Sequence, residues 1–565
     1  MLAFSIRNQK GSVMITAFVA IFALGILAVA SVQRATTEYN LANRYRLSTE
    51  IYYVAEAGTE KVAYDLARKV ADYEDEPAGA TDSWDELQFT QTDYLGTEFD
   101  IDVTVESMDT DQTDVDPDGI ITILRHYKIT SLVTDTGSGI STTICQVVAR
   151  KKRLTFQHAI FYAVDLELLP GRNMTLTGKV HGNKDIYIAG DYLASLTIDA
   201  EYLRSAGHIY NMRKDSDRVP DGSVRIKIKD SSDYAYMKEG GDTEALDSRR
   251  SDWASTSQSR WGGSVMSGVH GVTSLAAPEI ASTQPDGYYA TQADLYITNN
   301  SAHEGGSVLV EGVDIPTGTF TVSDSFYNHR EGKYIKTTNI DVLKLAGWEQ
   351  QLDGEGQPMV DGEGNPVYAQ NYPNHLPADG LLYATRDDVE ETKQGGIRLL
   401  NGSWIDNTNG LTAVSEFPIY IQGDFNTVNK KKAAIICDAA HIVSNNWVDA
   451  NSQGAVDSRK ASATVVNAAI ISGVYETDWG DYGGGVENLV RFHEDWGGVT
   501  LTMRGSFVAL WDAQVATGSW NNSSYVPPIR DWDFDTDFFN SDNLPAYTPY
   551  AVEVERVAWY KKSTS

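Results

Sequence analysis

From Val13 to Val32 the chain has twenty residues without a charge, and as a helix that length covers the ~30 Å of a bilayer's hydrocarbon. Arg7 and Lys10 precede the run, which predicts a cytoplasmic N-terminus with the remaining residues sent outward. Gly25, Ser31 and several alanines make the anchor moderate in strength. Two other readings compete with it: a core helix of a soluble protein, and a cleaved secretory signal. The apolar core of a signal is shorter, roughly 7 to 15 residues, whereas this run passes without a break into more helical sequence.

That sequence has no proline before Pro77 and one glycine, Gly58. Leu47, Ile51, Val54, Gly58, Val62, Leu66 and Val70 recur at intervals of three and four, which places them on one helical stripe. Charged residues such as Arg34, Glu38, Arg46, Glu50, Lys61 and Asp65 occupy the other faces. The pattern predicts a single helix of roughly 60 residues, about 90 Å long, starting in a membrane and ending on a soluble domain.

Lys10-Gly11-Ser12, the uninterrupted apolar run and Tyr53-Val54-Ala55-Glu56-Ala57-Gly58 together resemble the N-terminal region of PilX-like minor pilins and pseudopilins of type IV pilus systems. The resemblance implies cleavage by a prepilin peptidase between Gly11 and Ser12, with methylation of the new terminus. It also implies passage through the inner membrane and assembly with other pilin or pseudopilin subunits. Major pilins of that family carry a glutamate five residues into the mature chain, where Thr16 stands here; its absence resembles minor subunits placed at a filament tip. Read from the residues alone, Glu56 is equally a solvated helix charge, and Gly58 is a position for close packing of helix on sheet.

The 565 residues suffice for several cores. With 46 basic and 78 acidic residues, net −32, the chain lacks the positive field that nucleic acid requires. The two cysteines, Cys145 and Cys437, could pair in an oxidising compartment or remain buried thiols.

Phe99, Ile101, Val103 and Val105, then Ile121, Ile123, Tyr127 and Ile129, then Cys145, Val147 and Ala149 alternate with polar residues, predicting a small antiparallel sheet covered on one face by the helix. The acidic stretch holding Asp109, Asp111, Asp114, Asp116 and Asp118 invites calcium, since alternating oxygen ligands suit a hard cation. Read as an EF-hand from Asp114, however, it has Arg125 where the closing acid belongs, and a solvated loop is the plainer reading. No other cofactor is expected.

Beyond residue 154 short apolar pieces alternate with Gly, Asn and Asp corners: 174–180, 185–188, 196–198 and 224–228, and again 397–400, 418–423, 433–437, 464–472 and 500–504. Pieces so short and closely spaced fit coils of a parallel β-helix, with Asn426 and Asn445-Asn446 at corners. A β-sandwich is the alternative. Between the blocks lie the near-duplicates Asp353-Gly354-Glu355-Gly356 and Asp361-Gly362-Glu363-Gly364, predicted to form a polar hairpin or two successive loops. His181-Gly182-Asn183, Gly484 to Phe492, Glu494-Asp495-Trp496, Leu501 to Ser506, Tyr525 to Pro528 and Arg530-Asp531-Trp532 resemble large bacterial pilin-like surface proteins with a predicted β-helical body.

The predicted fold class is therefore α+β, mainly β, divided as a leader 1–11, a helix 12–76, a small β-domain 77–150, a first β-helix-like block 151–229, a polar insertion 230–394, a second block 395–510 and a C-terminal cap 511–565. Trp348, Trp404, Trp447, Trp496 and Trp520, with Trp511, Trp532, Tyr288, Tyr289, Tyr296 and Tyr475, could stack on a surface glycan or a protein target or fill cores. Asp191, Asp424, Asp438, Glu487, Glu494 and Asp495 are candidate acids for a membrane-tethered carbohydrate-active enzyme, the runner-up function, and His493 is a candidate metal ligand. No nucleophile motif or phosphate loop accompanies them. The leading expectation is a non-enzymatic minor pilin displaying an extracellular body for adhesion or tip assembly.

Overall fold

The computed structural model describes residues 10–76, 89–92, 97–364, 366–521 and 523–562. One helix, α1 (Lys10–Ala71), runs 62 residues. Its first half is bare: every large apolar side chain from Val13 to Val32 is exposed, and the segment is long and apolar enough to cross a membrane. Leu47, Ile51, Ala55, Val62, Leu66 and Val70 are buried, so the stripe lies where periodicity puts it, with Ala55 replacing the half-buried Val54 as the inward residue.

That stripe covers an antiparallel sheet of β1 (Phe89–Thr92), β2 (Glu98–Ser107), β3 (Gln112–Val115), β4 (Ile121–Asp135) and β5 (Ser141–Leu154). Phe99, Ile101, Val103 and Val105 of β2 and Tyr127, Ile129 and Val133 of β4 enter the shared core. In β5 the phase is one residue off the expectation: Ile144 and Val148 face α1, not Cys145, Val147 and Ala149. Cys145 and Ala149 are also buried, so alternation cannot tell the two faces apart. Gly58 meets this sheet closely; a Cβ there would stand 2.7 Å from Ser131 Oγ.

The C-terminal strand (Tyr550–Lys562) completes the same sheet, antiparallel to β5 from Tyr550 opposite Leu154 to Lys562 opposite Thr143. Arg153 and Glu553 are paired across it at 2.7 Å. The segment expected to cap the body thus ends as an edge strand of the head domain. Everything from 155 to 549 is an insertion between two neighbouring strands. Sequence patterning missed this because adjacency across some 400 residues leaves no local signal.

The insertion is a stack of coils whose short strands pair in parallel. The first block winds through 160–162, 166–168 and 174–177, then 180–182, 186–188 and 195–199, then 203–205, 209–210 and 223–227, each strand parallel to its counterpart in the next coil. The second block repeats the pattern through 411–415 and 419–422, then 433–437, 440–443 and 464–467, then 469–472, 490–492 and 500–505. The blocks join end to end in an unexpected order. Phe507, Val508 and Ala509, last in the second block, pair in parallel with Ile160, Phe161 and Tyr162, first in the first block. After 266 the chain therefore travels to the far end and winds back to a seam against its own first coil.

The corners follow their residue types. Asn426 adopts φ +57°, a left-handed conformation that asparagine tolerates. Its Nδ2 donates to the carbonyls of Lys431 at 2.7 Å and Asn467 at 2.8 Å, and its Oδ1 accepts from Lys431 N at 2.8 Å. The insertion 230–394 is more ordered than its composition suggests. It holds a helix (Trp253–Trp261) and a hairpin (Phe320–Asn328 with Lys333–Asp341), whose second strand joins the stack beside Lys393–Leu400. The acidic near-duplicates form two successive turns closed alike, Gly356 N donating to Asp353 O and Gly364 N to Asp361 O.

Candidate functional site

The feature with the clearest capacity for function is the junction between the bare half of α1 and the head. Ala57 is exposed, Glu56 half-buried, and Ala55 and Gly58 are packed on the sheet, so in this motif the small residues set the approach of helix to sheet. Gly11 and Ser12 lie within α1. At the other end of α1 the ring of Tyr73 stacks on Tyr288 at 3.7 Å and meets Tyr289 edge-on. Arg68 pairs with Glu279 at 2.7 Å. Tyr288 and Tyr289, candidates for external contact, instead bind the helix to the crossover segment of the body.

The acidic stretch 109–118 is also a joint. Asp109 accepts from His126 N at 2.8 Å and meets its Nδ1 at 2.7 Å; burial opposes ionisation, but these bonds hold its carboxyl below the usual range. Asp111 pairs with Arg150 and Arg125. Asp116 accepts the backbone N–H groups of Asp118 and Ile120, and Asp114 stays exposed on β3. Asp118 reaches the body, pairing with Lys229 at 2.8 Å and Arg204 at 3.0 Å. These carboxylates point to separate partners. Among the described residues no three or more His, Cys, Asp or Glu side chains converge as a metal cluster.

The candidate acids of the body act mostly as staples between turns of chain. Asp438 accepts three backbone N–H groups, from Gln514, Val515 and Ala516 at 2.5, 2.9 and 2.7 Å. Glu494 accepts from Ser444 N at 2.6 Å and its hydroxyl at 2.7 Å. Asp424 takes Val465 N, Asp495 takes Gly497 N, and Glu487 takes Leu169 N. Asp191 lies 4.0 Å from Arg218 at the surface. His493 is buried and pairs with His441, Nε2 to Nδ1 at 2.8 Å. Burial pushes both imidazoles well below their ordinary value, each reinforced by neighbouring cationic groups, so both are neutral.

Of the tryptophans proposed for contact, Trp447 and Trp496 are core, as are Trp511 and Trp532. Trp348 and Trp404 are half-buried against each other at 4.8 Å, and Trp348 Nε1 donates to Asp406. Trp520 packs edge-on to Tyr482 and donates to Tyr525. The tryptophan left exposed among the described residues is Trp479, at 72%, which the sequence analysis did not single out; its setting, Asp478-Trp479-Gly480-Asp481, is the turn-like signal that could have found it. Cys145 and Cys437 are buried and do not pair, one lying in the head sheet and the other in the body.

Neither a family model nor a curated protein matches this chain. Among solved structures it is similar to the crystal structure of competence-associated pilin ComZ from Thermus thermophilus, at 12% identity and a TM-score of 0.25, covering 91% of this chain and 97% of that one. A likeness at that level carries no argument about fold or role.

Proposed function

We propose that the chain is a pilin-like minor subunit: α1 inserts in the inner membrane, then packs among the helices of other pilin subunits, and the β-helix-like body is displayed outside the cell for adhesion or assembly at a filament tip. One observation carries this reading. A single uninterrupted helix is bare and apolar from Val13 to Val32 and packs into the core of a small antiparallel domain over its second half. A bare apolar helix in water is costly, at about 25 cal/mol for each Å² left exposed, so residues 13–32 require lipid or other helices around them. A membrane anchor alone would not need rigid continuity into the head, whereas a subunit that transmits its position in a filament does.

The body suits display. It leaves the head between two adjacent strands, and the C-terminal strand returns to the same sheet, so pull on the body is borne by strand pairing as well as by one tether. On this reading a prepilin peptidase cuts after Gly11, and the absence of an acid at Thr16 fits a minor position in the assembly. The test is Gly11→Val in the full chain expressed with its own pilus system. The account expects an unprocessed precursor, present in membranes and absent from sheared filaments, while the unaltered chain appears in both. Equal recovery of the two from filaments, or of neither, removes the pilin reading.

A further inference from the structure

The seam between the two blocks holds a cavity of about 30 Å³, room for a single ion or water. Tyr162 and Glu167 come to it from the first coil, and Gly485 and Asn488 from the loop before the strand Val490–Phe492. Three of its lining side chains end in oxygens with no hydrogen-bonding partner, Tyr162 Oη, Glu167 Oε1 and Asn488 Oδ1, and Glu487 Oε2, which lies against Gly485 on the cavity wall, is unpartnered too. All four side chains are more than nine-tenths buried, at 2%, 5%, 7% and 7% exposure. A buried unpaired polar atom costs roughly 1–3 kcal/mol, and more when charged, so four in one place call for an occupant.

Nearby cations do not answer that need. Lys214 is spent on Asp165 at 2.8 Å and Glu476 at 2.9 Å, and Arg213 on Asp215. Arg530 donates to the backbone oxygen of Glu487, not to its carboxylate. The other oxygens of the two glutamates are engaged, Glu167 Oε2 by the Thr477 hydroxyl and Glu487 Oε1 by Leu169 N, which fixes the free oxygens in place. Gly485 keeps the space open. Its φ is +61°, and a Cβ there would stand 3.0 Å from both Glu487 Oε2 and the Glu167 carbonyl oxygen.

We propose that Glu167, Glu487, Asn488 and Tyr162 form a divalent-cation site, suited to calcium, that staples the loop 473–489 of the second block to the first coil of the first. The donors are all oxygen, two of them carboxylate, in an irregular arrangement of the kind calcium accepts. Magnesium demands near-ideal octahedral geometry and sheds its waters reluctantly. The carboxylates come from positions 320 residues apart in the chain, so the ion closes the seam where no strand continues from one block to the other. Burial raises both carboxyls above their ordinary range, Glu487 to about 7, against the opposing pull of Lys214 on Glu167 and of Arg530 on Glu487.

The test uses the full-length protein in detergent, stripped with a chelator and titrated with calcium chloride by calorimetry, with thermal unfolding followed in parallel. The expected result is saturable uptake of one ion at this site and an upward shift of the unfolding midpoint, both lost in Glu487→Gln and Glu167→Gln and both kept in Asp114→Asn/Asp116→Asn. Removing one of two like charges should leave metal-free Glu487→Gln at least as stable as the metal-free parent, which separates loss of the site from loss of the fold; Asn488→Ala serves if that variant does not fold. The proposal is overturned by no calcium-dependent shift in the parent chain, which would mean a shared proton or a buried water meets these oxygens. It is equally overturned if uptake survives both glutamine variants, if only the Asp114/Asp116 variant loses it, or if magnesium gives an equal shift.

Discussion

Gly58 gives the sharpest test of how α1 sits on the head. Alanine at this helical position should gain roughly 1 kcal/mol of helix propensity, but its Cβ would lie 2.7 Å from Ser131 Oγ, with Val103 Cγ2 at 3.4 Å. Overpacking of that kind costs about 1–3 kcal/mol, so Gly58→Ala alone should be neutral to about 2 kcal/mol destabilising. Ser131 Oγ is buried without a partner, so Ser131→Ala should itself be neutral or stabilising. It also deletes the one atom in conflict, since the remaining contacts, Val103 Cγ2 at 3.4 Å and Ser131 Cβ at 3.6 Å, are ordinary van der Waals distances. In the Ser131→Ala background, Gly58→Ala should stabilise by up to about 1 kcal/mol, giving a coupling energy of at least ~1 kcal/mol between the sites. Native-state hydrogen exchange of the α1 amides from 55 to 66 in the four proteins reads this directly, as local opening of the helix from the sheet. Equal effects of Gly58→Ala in both backgrounds would refute the close approach.

The neutral pair His441 and His493 makes the body sensitive to acid. The unfolded chain takes up protons below its ordinary histidine pKa of about 6.5 while the folded chain does not, so stability is lost as pH falls. From pH 7 to pH 5 that is at most about 2 kcal/mol for each histidine, the limit set by the unfolded-state value; pH-dependent unfolding of His441→Asn/His493→Asn should be flatter than the parent's by up to about 4 kcal/mol, and parallel profiles would count against neutral burial. Asn426→Ala should cost roughly 3 kcal/mol, through lost bonds to Lys431 and Asn467 and a left-handed backbone, whereas Asn426→Gly recovers about 1 kcal/mol of it; unfolding midpoints that rank alanine above glycine contradict the corner geometry. Replacing 155–549 by Asn-Gly should leave a folded head, because Leu154 and Tyr550 are register partners and a two-residue turn can join them; a head with no protected amides in β5 would show that the sheet depends on the body.

Periodicity located α1, its inward stripe and strand β2 because each buries one face and exposes the other, so the sequence carries the phase. It misplaced the phase of β5, where both faces are buried and Cys145 and Ile144 look alike to any pattern. The coils were legible as short strands with Gly and Asn corners, and Asn426 stood out because few residues accept its backbone. Their order was not, since pairing of Phe507 with Ile160 and of Tyr550 with Leu154 depends on contacts hundreds of residues apart. The same limit affects function. Carboxylates such as Asp438 and Glu494 read as candidate acids in sequence and are staples in the fold, while the exposed Trp479 and the orphaned oxygens of Glu167 and Glu487 became visible only once the seam had brought distant segments together.

An assembly handle, unlike a plain anchor or a removed signal, is processed at its start and then kept whole. The intact mass and N-terminal sequence of the mature protein recovered from the cell envelope test it most directly. The account predicts a chain beginning at Ser12 with an N-methyl group and the whole span from Val13 to Val32 retained; a chain beginning at Met1, or one cut beyond residue 30, would contradict it.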